Sequence, residues 1–170
     1  APAYAQDVKA AKKAAKVAMK SREYSTAIKN LKIMLTAKPD DSKSHWNLAY
    51  CVTKGNYDNN EIDAFYDGLK FSKYKSLEDA AIHYKMKENT LLAVNLYERI
   101  YALNPKEIIT LGYLPEYYFE KKEWEKAYET YLSKAKYVKY KANHAYYYAG
   151  DAALELEQWQ NALDAFTAAL

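Results

Sequence analysis

The chain has 170 residues, of which 50% are hydrophobic and 28% are charged. This composition is typical of one ordinary folded domain or of a run of small repeats. A net charge of +3 is too small to argue for a nucleic-acid partner, and no apolar run approaches the roughly 20 residues of a membrane helix. The single cysteine, Cys51, excludes an internal disulfide framework and a cysteine-based metal site.

Residues 7–38 predict a first pair of helices, because they are dense in Ala and Lys, which both favour helix. The polar run 21–23 separates the two helices, and Pro39 ends the second. Apolar residues recur at the spacing of one helical face, namely Ala11, Ala14, Ala15 and Ala18, then Tyr24, Ala27, Ile28, Leu31, Met34 and Leu35.

Residues 42–73 predict a second and less regular pair. Its first helix is expected to end at Gly55. The run 59–61 is then expected to cap a helix that extends to Phe71. Gly68 would lie inside this helix and cost it roughly 1 kcal/mol relative to Ala, so this pair is the weakest.

Three further helix pairs are expected over residues 74–107, 108–142 and 143–170. In the middle one, Pro115 is expected to start or kink its helix. In the last pair, Gly150 and Ala162 are small enough to let the two helices approach closely. The side chains expected to fill the space around that contact are Trp159, Leu163 and Phe166.

The five pairs keep a common register. A small or special residue recurs in the first helices at intervals of 34, 32, 34 and 35 residues, at Ala15, Ala49, Ala81, Pro115 and Gly150. A small residue recurs early in the second helices at Ala27, Ala93, Ala127 and Ala162, with an aromatic residue three positions earlier at Tyr24, Trp124 and Trp159. This helix–turn–helix period of about 34 residues resembles the tetratricopeptide repeat family over nearly the whole chain.

The resemblance implies an all-α fold, a tetratricopeptide-like right-handed superhelix of about five helix–turn–helix repeats in a single solenoid over residues 7–170. The repeats would be residues 7–41, 42–73, 74–107, 108–142 and 143–170. Departures from the family pattern are Gly68, Thr90 in place of the turn aromatic, and Pro115 in place of a small residue. The alternative is an irregular α-helical bundle, which gives no reason for a phase kept over four intervals.

The family binds peptides or protein segments in a concave groove lined by the first helices, so the resemblance implies a protein-binding scaffold. On each first helix, the stripe beside the packing stripe would face that groove. The predicted partner-binding residues are Lys12, Lys16, Trp46, Asn47, Tyr50, Lys75 and Tyr147. Positions 1–40 carry nine Lys/Arg and three Asp/Glu, net +6, whereas positions 41–170 are net −3.

The charge gradient makes the groove basic at its N-terminal end and acidic near Glu116, Glu120, Asp151 and Glu155. An acidic protein segment is the expected ligand, and a simply solvated lysine face is the alternative.

Some members of the family hold a C-terminal carboxylate in a clamp of basic and Asn side chains. Lys12, Asn47 and Lys75 occupy matching places in this sequence, but Lys16 replaces an Asn and Asp79 replaces a basic residue. An acidic group at that place repels a carboxylate, which argues against such a clamp.

No catalytic motif, cofactor motif or metal-ligand spacing is found in the sequence. His45, His83 and His144 each lack a second ligand one turn away, and the last two are expected to be surface or interface residues. Cys51 is expected to be a small core residue. The sequence therefore predicts a non-catalytic scaffold that needs no cofactor and no metal.

Two other functions remain open. The chain could be a glycan- or cell-envelope-binding module that uses exposed tyrosines, which would be Tyr137, Tyr140, Tyr147 and Tyr148. It could also be a repeat domain attached to a catalytic domain outside this chain.

The sequence predicts a leader at its N-terminal end and an uncovered repeat at its C-terminal end. Ala3 and Ala5 form a small-x-small pattern typical of a signal-peptidase site, so residues 1–6 are expected to be a signal-peptide remnant or disordered leader. This favours a bacterial periplasmic, secreted or cell-envelope protein over a cytoplasmic one. The last pair has no capping helix, so further repeats are expected after Leu170, with homo-oligomer formation through this face as the alternative.

Overall fold

A computed structural model describes residues 3–170, with side chains from Asp7 onward. The predicted leader, residues 1–6, lies outside the side chains described. The described chain is all helical, as predicted. The helices are α1 (Ala3–Lys20), α2 (Tyr24–Ala37), α3 (Ser42–Gly55), α4 (Asn59–Asp67), α5 (Lys75–Met86), α6 (Thr90–Leu103), α7 (Ile108–Leu111), α8 (Leu114–Glu120), α9 (Trp124–Tyr137), α10 (Ala142–Glu155) and α11 (Trp159–Ala169). Among these, no helix is long and apolar enough to cross a membrane.

The chain divides into two compact units, Ala1–Arg99 and Ile100–Leu170. In the first unit α1 packs on α2, α2 on α3, and α3 on α5. In the second unit α8 packs on α9, and α10 packs on both α9 and α11. Small residues make these contacts close, because the helices meet over buried alanines such as Ala15, Ala49 and Ala149.

The turns inside the helix pairs repeat with the same register as the small residues. One residue in each turn adopts a left-handed backbone conformation, with φ between 46° and 60°, at Arg22, Asn56, Glu88, Lys122 and Glu157. Their spacing of 34, 32, 34 and 35 residues equals that of the first-helix small residues. The backbone therefore carries five copies of one helix–turn–helix unit, which confirms the predicted fold class.

The second helix pair differs from expectation in one element. The side chain of Asp58, not Asn59, caps α4 by accepting a hydrogen bond from the Asn60 amide at 2.9 Å. Asn59 is instead used in a pair of amide hydrogen bonds with Asn89, at 3.2 and 2.9 Å. The helix also ends at Asp67 with Gly68 as its C-cap, so the prediction that this helix extends to Phe71 was wrong.

Asp40 explains why the chain leaves the helix after Gly68. Its carboxylate accepts hydrogen bonds from the backbone amides of Ser72 and Lys73, at 3.2 and 3.1 Å, and from the hydroxyl groups of Ser72 and Ser76. These bonds hold the segment before α5 in a non-helical path, because the amides that a continuing helix would use are already engaged.

Pro115 lies in the first turn of α8, where its missing amide proton and fixed φ cost nothing. The expected first helix of the fourth pair is therefore split into α7 and α8, as the prediction of a start or kink at Pro115 required. The carboxylate of Glu107 caps α7 by accepting from the Thr110 amide at 2.7 Å.

In the last helix pair, the Phe166 ring fills the contact between α10 and α11. A Cβ at Gly150 would lie 2.6 Å from Phe166 Cε1, so only glycine leaves room for the ring. The expectation that Trp159 and Leu163 also fill this space was wrong, because their side chains are 65% and 59% exposed. One repeat earlier Trp124 packs edge-on against Phe119, but Leu154 holds that place here and offers Trp159 no ring.

Candidate functional site

The lysine stripe of α1 lies on the surface. Lys12 and Lys16 are exposed, while Ala11 and Ala15 beside them are buried. The small alanine side chains form the packed face of α1 and allow a close helix contact. The lysines lie on the neighbouring face of the same helix. Within the described residues, no carboxylate pairs with either ammonium group. Both cations are therefore available to a ligand.

The structure brings Trp46 and Tyr50 together on α3 and places both against α5. The Trp46 indole lies edge-on to the His83 imidazole, with ring centroids 4.6 Å apart. Tyr50 contacts the same imidazole at 6.2 Å and Tyr24 of α2 at 6.2 Å. Trp46 remains 40% exposed. Trp46, Tyr50 and His83 are called the Trp46 cluster below, and it combines a fixed position with an accessible indole.

Of the two locations expected for His83, surface or interface, the structure shows a buried imidazole where α5 meets Trp46 of α3. Its Nε2 atom is buried and makes no hydrogen bond among the described residues. Burial, together with the nearby charge of Lys87, lowers the pKa of His83, so the ring is neutral near pH 7. His144, by contrast, is exposed as expected.

Lys75 is the first residue of α5, and Asn47 follows Trp46 on α3. Lys75 Nζ forms an ion pair with Glu78 Oε2 at 2.5 Å, and the Glu78 side chain is nearly buried. The Lys75 side chain is itself mostly exposed, so this ion pair neutralises only part of its charge. Asn47 is half-buried beside Trp46 in the sequence of α3. Of the predicted binding residues, Trp46 and Tyr50 share a contact with His83, and no contact between them and Lys12 or Lys16 is found in the described part of the chain.

Tyr147 lies in the second unit, on α10, and is 53% exposed. Its ring contacts Phe166 at 5.6 Å and Tyr148 at 5.9 Å. It is therefore part of an aromatic surface on α10 and α11 rather than an isolated side chain.

The sequence missed a cleft in the second unit, between α8, α9 and α10. Its lining residues are Glu116, Phe119, Glu120, Tyr131, Lys134, Val138, Tyr140, Lys141, His144, Ala145 and Tyr148. The sequence analysis placed Glu116 and Glu120 at the acidic end of the predicted groove, but it did not predict a cleft between three helices at this place. The missing signal is Lys134, which lies 18 residues away and forms an ion pair with Glu116 at 2.8 Å across two helices.

The described residues carry no sign of a nucleophilic thiol. Cys51 is buried, and burial raises the pKa of its thiol to about 11, so the thiol stays protonated near pH 7. The expectation of a small core residue at this position is confirmed. Within residues 7–170, no three His, Cys, Asp or Glu side chains group closely enough to hold a metal ion.

Comparison with known proteins agrees with this architecture. Residues 12–74 match the family model described as tetratricopeptide repeat. No curated protein matches the chain. Similar solved structures include a crystal structure of MamA protein, at 19% identity and a TM-score of 0.47, covering 98% of this chain and 91% of that one.

A second crystal structure of MamA is 20% identical, covers 91% of each chain and has a TM-score of 0.46. MamA from Desulfovibrio magneticus RS-1 is 13% identical, with 96% of this chain and 93% of that one covered and a TM-score of 0.43. All three scores are below 0.5, so the fold assignment rests on the five repeated turns and on the family match.

Proposed function

We propose that the chain, of which residues 12–74 match the tetratricopeptide repeat model, is a non-catalytic scaffold that binds a segment of another protein on its first helices. Members of this family use their helix pairs to bind proteins and peptides. The observation that carries the proposal is the Trp46 cluster, in which a partly exposed indole is held in place by a buried imidazole. Fixed aromatic side chains of this kind dominate the energy of protein interfaces.

Basic and amide side chains on the first helices of the same unit support an acidic segment as the ligand. Lys12 and Lys16 supply two exposed and uncompensated cations, and Asn47 adds an amide beside Trp46. Lys75 contributes less, because Glu78 already pairs with it. An acidic segment that carries an apolar side chain would use the lysines for its charge and the indole for its apolar group.

The binding experiment isolates the charge of α1. A partner is captured with the 170-residue chain, identified by mass spectrometry, and its affinity is then measured by calorimetry at two salt concentrations. The double variant Lys12→Glu, Lys16→Glu is expected to bind roughly tenfold more weakly, and the wild-type affinity is expected to fall as salt rises.

The matched control reverses two exposed lysines on the turn before α9, Lys121→Glu and Lys122→Glu. This control is expected to leave the affinity within about twofold of wild type. An unchanged affinity in the α1 variant, or an equal loss in both variants, would contradict the basic site on α1.

A glycan-binding function is the second candidate, and exposed aromatic rings on the second unit favour it. Tyr140 is 77% exposed and Tyr147 is also open to solvent. Sugar rings stack on such faces without help from charge, so binding to glycans would be insensitive to salt and lost in the variant Tyr140→Ala, Tyr147→Ala. A glycan array read with wild type and this variant decides between the two functions.

A further inference from the structure

The cleft of the second unit has a volume of about 600 Å³ and an aromatic floor. Phe119 of α8, Tyr131 of α9 and Tyr148 of α10 form this floor. Tyr131 and Tyr148 stack with ring centroids 5.3 Å apart, and Phe119 lies edge-on to Tyr148 at 5.4 Å. Since three helices supply the three rings, the floor is formed before any ligand binds.

The ammonium group of Lys134 is a cation that already binds to this aromatic floor. Its ammonium nitrogen lies 5.7 Å from the centre of the Tyr131 ring and 2.8 Å from Glu116 Oε1. The ring face and the carboxylate both attract the positive charge. The chain itself thus places one basic side chain on the aromatic floor, against the first of two carboxylates.

The second carboxylate is Glu120, one turn later on α8 and exposed in the same cleft. Within the described residues no basic side chain pairs with it. Burial raises the pKa of the Tyr131 hydroxyl, and the charges of Glu116 and Glu120 both add to the effect. Both carboxylates therefore act on the same floor, but only Glu116 is neutralised by a lysine.

The opposite wall of the cleft consists of Tyr140, Lys141 and His144. The Lys141 ammonium lies 5.3 Å from the centre of the Tyr140 ring. This ring is largely exposed, and Lys141 is exposed as well. Its charge nevertheless opposes a second cation in the cleft, which gives Glu120 and Lys141 opposite effects on cation binding.

We propose that this cleft binds an arginine side chain of a partner segment, with the guanidinium group between the Glu120 carboxylate and the rings of Phe119 and Tyr148. The planar guanidinium stacks on an aromatic face and offers two parallel donors to a carboxylate, whereas an ammonium does neither. The inference rests on the proposed scaffold function, because it assigns a position in the second unit to one side chain of a bound protein segment.

The test uses two small probes with the full 170-residue chain. N-acetyl-L-arginine amide and its neutral isostere N-acetyl-L-citrulline amide are titrated while backbone amide shifts are followed by NMR. The arginine probe is expected to shift the amides of α8, the C-terminal half of α9 and the start of α10, and to bind at least threefold more tightly than the citrulline probe.

Three variants test whether the charges that line the cleft determine the affinity for the arginine probe. Glu120→Gln is expected to weaken the arginine probe about threefold, and Lys141→Glu is expected to strengthen it by a similar factor. The matched control Glu129→Gln removes an exposed carboxylate of α9 that does not line the cleft, and is expected to change nothing. A general loss of folding cannot weaken the binding of the arginine probe in Glu120→Gln and strengthen it in Lys141→Glu.

Equal affinities for the arginine and citrulline probes, or shifts confined to residues outside the cleft, overturn the proposal. So does an equal effect of Glu120→Gln and Glu129→Gln. These readouts lie on α8 to α10 and need no protein partner, so their failure leaves the Lys12 and Lys16 experiment untouched. Loss of binding in the Lys12 and Lys16 variant alone leaves this cleft intact.

Discussion

The indole of Trp46 on α3 lies edge-on to the imidazole of His83 on α5, with centroids 4.6 Å apart and planes at 79°. One ring is partly exposed and the other is buried, so the pair links the proposed binding surface to the core between α3 and α5. A change in the charge of His83 therefore reaches the surface through a single contact.

The first prediction concerns pH. Burial lowers the pKa of His83 and of His45 from the ordinary value of 6.5. The unfolded chain takes up these protons near pH 6.5, but the folded chain takes them up only at lower pH. Between these values the unfolded state binds more protons, so the free energy of unfolding falls as the pH falls from 7.5 toward 5. Urea unfolding at several pH values measures this slope.

The variant His83→Gln removes one of the two buried imidazoles, and the slope between pH 7.5 and 5 is expected to become shallower. The absolute stability of this variant is not the readout, because a buried amide has its own cost. The variant His144→Gln, at an exposed position, is the control and should keep the wild-type slope. A slope that is equal in all three proteins contradicts the neutral buried state of His83.

The second prediction concerns the contact of α10 with α11. Gly150→Ala places a Cβ 2.6 Å from Phe166 Cε1, and is expected to lower the free energy of unfolding by about 1–3 kcal/mol. Gly68→Ala is the control, since its Cβ would approach no atom closer than 3.5 Å.

In the variant Gly150→Ala, the additional change Phe166→Leu removes the ring that meets the new Cβ, so part of the loss should be recovered. A double-mutant cycle over the two positions measures this coupling. Additive effects of the two changes would show that the ring does not limit the approach of the helices.

The third prediction concerns the repeated turns. Lys122 has φ of 60°, a conformation that costs an L-residue roughly 1–2 kcal/mol and glycine nothing. Lys122→Gly is therefore expected to raise the free energy of unfolding by about 0.5–1 kcal/mol after the extra entropy of glycine is counted. Lys121→Gly, one residue earlier at φ of −83°, should lower it instead. Urea unfolding that shows the same sign for both variants contradicts this assignment of the turn.

The fourth prediction concerns Asp40, which accepts several hydrogen bonds from the segment before α5. The Ser72 hydroxyl group, and then the amides of Lys73 and Ser72, lower the pKa of this carboxyl. Asp40→Ala is expected to lower the free energy of unfolding by about 1–2 kcal/mol. Asp79→Ala, at an exposed position of α5, should have little effect. Equal losses in these two variants would mean that the Asp40 hydrogen bonds do not hold the segment.

The repeat could be predicted from the sequence because close helix contacts demand a small residue at a fixed place, and Ala15, Ala49 and Gly150 provide it. The burial of His83 could not be predicted, since a histidine on a helix gives the same sequence pattern whether or not a neighbouring helix covers it. Trp159 occupies the same place in its repeat as Trp124. The exposure of each indole depends on the preceding helix, which offers Phe119 to Trp124 but only Leu154 to Trp159.

The cleft of the second unit could be predicted only in part, because the sequence placed Glu116 and Glu120 at the acidic end of the groove but did not show which side chains they would meet. The spacing of Glu116 and Glu120 indicates only a shared helical face. Their different partners appear when α9 brings Lys134 to Glu116 and leaves Glu120 without a cation among the described residues.

Site-specific photo-crosslinking to a bound protein tests the central claim most directly. A photoreactive phenylalanine analogue replaces Tyr50 on α3 in one protein and the exposed Ile33 on α2 in a second. The scaffold account predicts that the partner crosslinks from position 50 but not from position 33, and that excess unlabelled chain competes the signal away. Crosslinking from position 33 with none from position 50 would contradict binding on the first helices.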